Sequence, residues 1–299
     1  MNDFRLPEGT QVGHVRLQIS DLQRALGFYQ ELLGFRQVLR DGPVVVLSAT
    51  GQAPHHLVLV EHRGARRKPA NTTGLYHVAI RLPSRQALSR VFQRLLTHEW
   101  PFQGFADHLV SEALYLSDPD GNGLELYVDR PRDQWGRRNG QIEMATDPLD
   151  VQSLLAEAEP RIELWAGIDP ATDVGHVHLH VSDLAQAERF YHGLLGLDVT
   201  QRGYPGALFL SAGGYHHHLG VNTWAGVRAS SPPPDAVGLL SFSLRLPDQE
   251  ARRALEQRAR ESSIGLEDPG DSSRAGGVLL RDPDGNGVEL VVAKSEVYN

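Results

Sequence analysis

The sequence predicts an α+β protein of four βαβββ modules, set out as two duplicated halves of a 299-residue chain. Two repeats and one alternation carry the prediction. GHVRLQISDLQRALGFYQELLGF, from Gly13, returns as GHVHLHVSDLAQAERFYHGLLGL, from Gly175. LYLSDPDGNGLEL, from Leu114, returns as LLRDPDGNGVEL, from Leu279. Internal repeats of this kind are read before any local pattern. The alternation is that of His176, His178 and His180 against Val177, Leu179 and Val181, the two-residue period of a half-buried strand.

Each half divides again. GLYHVAIRLPSRQALSRVFQRLL, from Gly74, and GLLSFSLRLPDQEARRALEQRAR, from Gly238, repeat the same plan: a strand, a Ser or Asp, then an amphipathic helix. In the first module Leu22, Leu26, Tyr29 and Leu33 make the apolar helix face, and Ser20 or Asp21 is the expected N-cap. Short strands then alternate with turn signals such as DGP, GG and PDGNG. The modules are expected near 13–62, 74–128, 175–224 and 238–292. Residues 1–130 form a first domain and 174–299 a second, joined by a linker over 131–173 rich in charge, Gly and Pro.

Composition narrows the function. Hydrophobic residues make up 40% and charged residues 22%, a balance that supports buried cores. The net charge is −8, and the densest basic cluster is only Arg66-Arg67-Lys68, so no nucleic-acid or anionic-membrane partner is expected. With no cysteine, disulfides, thiolate zinc sites and thiol catalysis are excluded. MNDFRLPEGT has no apolar signal core and no stretch approaches a membrane span, so a cytoplasmic protein is expected.

The four modules, with the phrases GLYH, SEALYLSDPDGNGLELY, GHVHLHVSDL and SAGGYHHHLGVNTW, resemble the vicinal oxygen chelate superfamily. This superfamily includes glyoxalase I, fosfomycin-resistance proteins and extradiol ring-cleaving dioxygenases, and the longer phrases resemble its catechol 2,3-dioxygenase-type two-domain members. SDPDGN alone specifies only the superfamily. The resemblance covers nearly the whole chain. It implies curled mixed sheets, each pair of modules closing one metal-binding cup, with ligands on the first and last strands of paired modules. Here the first-strand positions are His14, His77, His176 and Ser241, and the last-strand positions His56, Glu125, His218 and Glu289.

Three pairings of modules stand open. The C-terminal half alone offers His176 and Glu289 but has Ser241 where a histidine is needed. The N-terminal half alone offers His14, His77 and Glu125, and modules two and three together offer His77, Glu125 and His176. Accessory residues of the extradiol members favour the last set. Tyr115 stands ten residues before Glu125, with His108 upstream, whereas module four has Leu279 in the tyrosine position; and the partner module in these members carries a last-strand histidine, which module three has in YHHHLG and module one, in weaker form, in APHHLVLVEH. The expected ligands are therefore His77, Glu125 and His176, with His14 as the alternative third. Two histidines and one carboxylate suit Fe(II) and O2 chemistry, and Mn(II) is the metal the same donors also accept.

The resemblance implies cleavage of a catechol-type aromatic by O2 next to its diol, with Tyr115 and His108 hydrogen-bonding substrate oxygens and a further histidine as acid/base. Three consecutive histidines, His216 to His218, offer that group. Strand alternation extended back from Leu219 and Val221 assigns His218 as acid/base, His216 and Asn222 as cavity lining for substrate, and His217 as facing away; the HH-x-L wording of other extradiol enzymes offers the alternative that His217 is the inward one. The internal register agrees, since His218 falls opposite Glu125 and Glu289. His178 and His180 share a face with His176 and read equally as cavity lining or polar filler. His55 and His56 read as structural, and the DPDGNG loops as turns first. The partners implied are a small aromatic diol, O2 and further copies of the chain in a homo-oligomer. Two other functions fit the scaffold: a glyoxalase-like isomerase or transferase, and a metal-free binding or resistance protein. Glyoxalase-type sites commonly use two carboxylates, and a sequestering module needs no His/His/Glu set.

Overall fold

A computed structural model describes residues 4–157, 165–269 and 277–292. Module one comprises β1 (Gln11–Ile19), α1 (Leu22–Leu26) continued by a π-helical turn (Gly27–Leu32), β2 (Arg36–Asp41), β3 (Val44–Ser48) and β4 (Leu57–Glu61). Module two comprises β5 (Gly74–Arg81), α2 (Arg85–Thr97), β6 (Phe102–Asp107), β7 (Ser111–Ser117) and β8 (Gly123–Asp129). The connecting segment carries a small hairpin of β9 (Arg137–Arg138) and β10 (Gln141–Ile142), then α3 (Val151–Ala156). Module three has β11 (Asp173–His180), α4 (Leu184–Glu188) with its own π-helical turn (Arg189–Leu194), β12 (Asp198–Gln201), β13 (Ala207–Ser211) and β14 (Leu219–Asn222). Module four has β15 (Gly238–Leu246), α5 (Gln249–Glu261), β16 (Val278–Arg281) and β17 (Gly287–Val292). The remaining strand expected there is represented, among the described residues, by the pairing of Glu267 with Leu279.

Helix starts follow the expected chemistry. Asp21, Ser84, Asp183 and Asp248 each sit in extended backbone and accept the N–H of the residue three further on, at 2.9, 3.1, 2.9 and 2.9 Å. Each satisfies one of the free amides of a first helical turn, so the aspartate rather than Ser20 is the cap in module one.

Within every module the first and last strands run parallel: β1 with β4, β5 with β8, β11 with β14, β15 with β17. First strands then pair antiparallel across the two halves of the chain. β1 joins β15 and β5 joins β11. The result is a seven-stranded sheet from modules one and four, and an eight-stranded sheet from modules two and three. The DPDGNG loops tie modules within a half instead. Asp118 accepts from the Tyr29 hydroxyl at 3.0 Å and Asp120 from the Ser20 N–H at 2.8 Å, while Asp282 and Asp284 repeat this with Tyr191 and Ser182 at 2.8 and 3.0 Å. One hydrophobic cluster runs through all four modules, from Leu17 and Val78 to Leu179 and Phe242.

Candidate metal centre and cavity

Alternation on the central strands sorts side chains by face. Val78 and Ile80, Leu124 and Leu126, Val177 and Leu179 enter the main core. His77, Glu125 and His176 therefore share the concave face. Glu125 lies beside Ala79 in the parallel β5–β8 register, and His176 lies beside Ala79 from the antiparallel side. The strand crossing brings three buried donors together: Oε2 of Glu125 is 3.0 Å from Nε2 of His77 and 3.1 Å from Nε2 of His176. One ligand atom from each lies within 4.8 Å of the others. Burial pushes the Glu125 carboxyl up, but the two imidazoles outweigh it and hold it well below the usual carboxylate range. Burial, opposed by Glu125, lowers His176 to about 4, so both partners are in the protonation states a cation needs. Nε2 of His77, despite its closeness to Glu125, completes no hydrogen bond, and neither does Nδ1 of His176. A buried orphan nitrogen in a two-imidazole, one-carboxylate set fits a divalent metal.

His77 and Glu125 open onto a cavity of about 420 Å3, whose wall includes Tyr115, His108, His178, His217, Tyr76, Phe209 and Trp224. His176 lies one layer deeper, under the ring of His217 at a centroid separation of 4.0 Å. Tyr115 stands opposite Glu125 in the β7–β8 ladder. His108 donates from Nδ1 to the Ala145 carbonyl at 2.6 Å, which leaves Nε2 to accept the Tyr115 hydroxyl proton at 2.6 Å. Burial and then Glu125 raise Tyr115 well above the ordinary phenol value, so it stays a donor.

The three consecutive histidines fall differently from the alternation argument. β14 begins only at Leu219, and the stretch before it is a turn in which Gly213 and Gly214 both take positive φ. The pleat cannot be extended back through such a turn, and the inward residue slips by one. His217 lines the cavity; His218 does not. Nδ1 of His218 accepts the Ala212 N–H at 3.2 Å and closes the turn, and burial drives this ring down to about 3. His216 is also off the cavity wall, with no exposed surface. Asn222 is fully buried and off the cavity wall, whereas His178, whose ring an added Cβ at Gly220 would meet at 2.9 Å, lines it. Asn222 instead donates to Nε2 of His178 at 3.0 Å and accepts from Nδ1 of His180 at 2.6 Å.

His14, the alternative third ligand, is in the other sheet. Its Nε2 is 3.2 Å from Oε2 of Glu289, and Ser241, at the place corresponding to His77, donates its hydroxyl to the same carboxylate. This second concave face keeps the outline of the first with one histidine exchanged for serine. Nothing in the sequence pattern marked Tyr76, Phe209 and Trp224 as cavity walls, nor the linker's part in closing the cavity. Met144, Ala145 and Thr146 close one side of the cavity, and Thr146 reaches Tyr204 at 2.7 Å. No periodicity marks such a strap, because its place is set by tertiary packing.

A family model described as the glyoxalase/bleomycin resistance protein/dioxygenase superfamily matches residues 11–126 and 173–290. The chain belongs to this superfamily. Within it, a catechol-2,3-dioxygenase of Bacillus subtilis is 43% identical over 271 residues, 89% of this chain and 93% of that one. A biphenyl-2,3-diol 1,2-dioxygenase of Rhodococcus globerulus is 28% identical over 46% of this chain and 75% of that one. Glyoxalase I of Zea mays superposes with a TM-score of 0.56 at 17% identity, over 96% of this chain and 94% of that one, a likeness of fold. Among the described residues, no helix of this superfamily member is long and apolar enough to cross a membrane.

Proposed function

We propose that the chain is an extradiol ring-cleaving dioxygenase that opens a catechol-type aromatic with O2, using Fe(II) held by His77, Glu125 and His176. The single observation that carries this reading is the buried His–Glu–His set opening onto an aromatic-walled cavity. The 43% identity to a catechol-2,3-dioxygenase over most of the chain supports it. When bound, Fe(II) supplies Lewis-acid activation of the diol and redox access to O2; the same donors accept Mn(II).

The remaining roles belong to the protein. Tyr76, Phe209 and Trp224 present flat apolar surface to an aromatic ring and exclude water. Tyr115, oriented by His108, hydrogen-bonds a diol oxygen. His217, rather than His218, takes the acid/base place, because it alone of the three consecutive histidines faces the cavity.

The test is protein purified anaerobically, reconstituted with Fe(II) and given catechol. O2 consumption matched by a yellow ring-opened product is expected, and His77→Ala removes both along with the bound metal. Absence of metal binding and of O2 uptake in the wild type would sink the proposal.

A further inference from the structure

Behind His217 stands a buried chain of groups. Nδ1 of His217 is 2.7 Å from Nδ1 of His216, and Nε2 of His216 is 2.8 Å from Oδ1 of Asp129. Asp129 is fixed in turn by the Tyr215 hydroxyl, at 3.1 and 3.0 Å to its two oxygens, and by Nη1 of Arg81 at 3.2 Å. A carboxylate only accepts, so His216 donates through Nε2. As a neutral imidazole its Nδ1 is then an acceptor, and the facing Nδ1 of His217 must be the donor. That leaves a lone pair on Nε2 of His217, a residue of the cavity wall.

The second concave face supplies an internal comparison. His55 stacks on His14 at 4.4 Å where the tilted ring of His217 lies against His176 at 4.0 Å, and His56 accepts from Ala49 N–H at 3.3 Å as His218 does from Ala212 at 3.2 Å. The loop paths correspond. Yet the place of His216 is taken by Pro54 and that of Tyr215 by Ala53, while Ala293, in step with Asp129, lies outside the described residues. The turn therefore closes without the Asp–His pair. The pair accompanies the His–Glu–His set and is missing where Ser241 breaks it.

We propose that Asp129 and His216 are positioning residues that hold His217 as the Nδ1–H tautomer, so that its Nε2 accepts a hydrogen bond from a hydroxyl of the bound diol. The logic is that of an aspartate fixing a histidine tautomer, with one imidazole interposed. The identity of the hydroxyl rests on the ring-cleaving reading; the tautomer does not.

The test reads the tautomer directly, by 15N spectra of the full chain labelled at histidine and loaded with Zn(II), with His217 assigned from His217→Gln. Wild type should show Nδ1 protonated and Nε2 bare. In Asp129→Asn the amide donates to His216, both rings reverse, and His217 should show Nε2–H. In the Fe(II) protein this variant should lose about 10²–10⁴-fold in kcat on catechol, with KM changed by less than about threefold. His216→Gln preserves a donor toward Asp129 and an acceptor toward His217, so it should keep the tautomer and recover activity that His216→Leu loses. A wild-type His217 protonated at Nε2, an unmoved tautomer in Asp129→Asn, or full kcat in His216→Leu would each overturn the proposal. An inactive wild type would instead remove the ring-cleaving reading, and the spectra would still decide the tautomer.

Discussion

Glu125 and Glu289 occupy matching places on two sheets, and their neighbours separate their roles. Glu125 faces two imidazoles and a cavity, whereas Glu289 faces one imidazole and the Ser241 hydroxyl and is fully buried. Burial pushes Glu289 up, but the His14 hydrogen bond and its neighbours outweigh that and leave it below its usual value. A depressed carboxyl contributes stability that is present above its unfolded value and lost as pH falls through the folded one. Glu289→Gln should therefore lower stability near pH 7 by about 1–3 kcal/mol, leaving metal content and activity intact. Urea titrations should show the deficit shrinking below about pH 4.5. A deficit that grows on acidification would contradict the pairing. His14→Ala should likewise spare the bound metal, and metal analysis beside His77→Ala separates the two faces.

At the scale of elements, Gly220 shows how a strand position serves the site. It lies opposite His178 in the β11–β14 register, and the His178 ring rests on its backbone. A methyl group there must displace that ring toward the cavity. Gly220→Ala should raise KM for catechol more than it lowers kcat, at a stability cost of about 1–3 kcal/mol; unchanged KM would show that His178 does not shape the substrate space. Elements with regular periods were legible in the sequence. The alternation of β11 and a helix capped at Ser20 or Asp21 follow from repeat and pattern alone. The inward histidine of the three was not legible, because alternation holds only where the chain is a strand, and two positive-φ glycines precede it. The strap of Met144 to Thr146 was not legible either, since nothing in its composition says what it packs against.

For the whole molecule, duplication was plain in the sequence, but which modules share a sheet was not. The repeat treats all four alike; Tyr115 and His108 beside Glu125, against Leu279 beside Glu289, singled out module two, and the YHHHLG stretch of module three, against the weaker APHH of module one, favoured joining the two. The sheet order has that joining, and it has a mechanical consequence. Modules two and three are neighbours in sequence, while modules one and four must bring distant parts of the chain together to complete the other sheet. The DPDGNG loops then bind module one to two and module three to four, and a single hydrophobic cluster spans all of them. The main hydrophobic cluster is shared by both sheets, so the chain should unfold in one transition. Phe242, buried in the sheet remote from the metal centre, gives the test. Phe242→Ala should destabilise by about 3–5 kcal/mol and move the entire calorimetric endotherm downward. Zn(II) at a hundred times its dissociation constant should restore about 2.7 kcal/mol of that loss, although it binds the other sheet. An early, metal-insensitive transition in Phe242→Ala would show that the two sheets melt separately and that the loops between modules do not couple them.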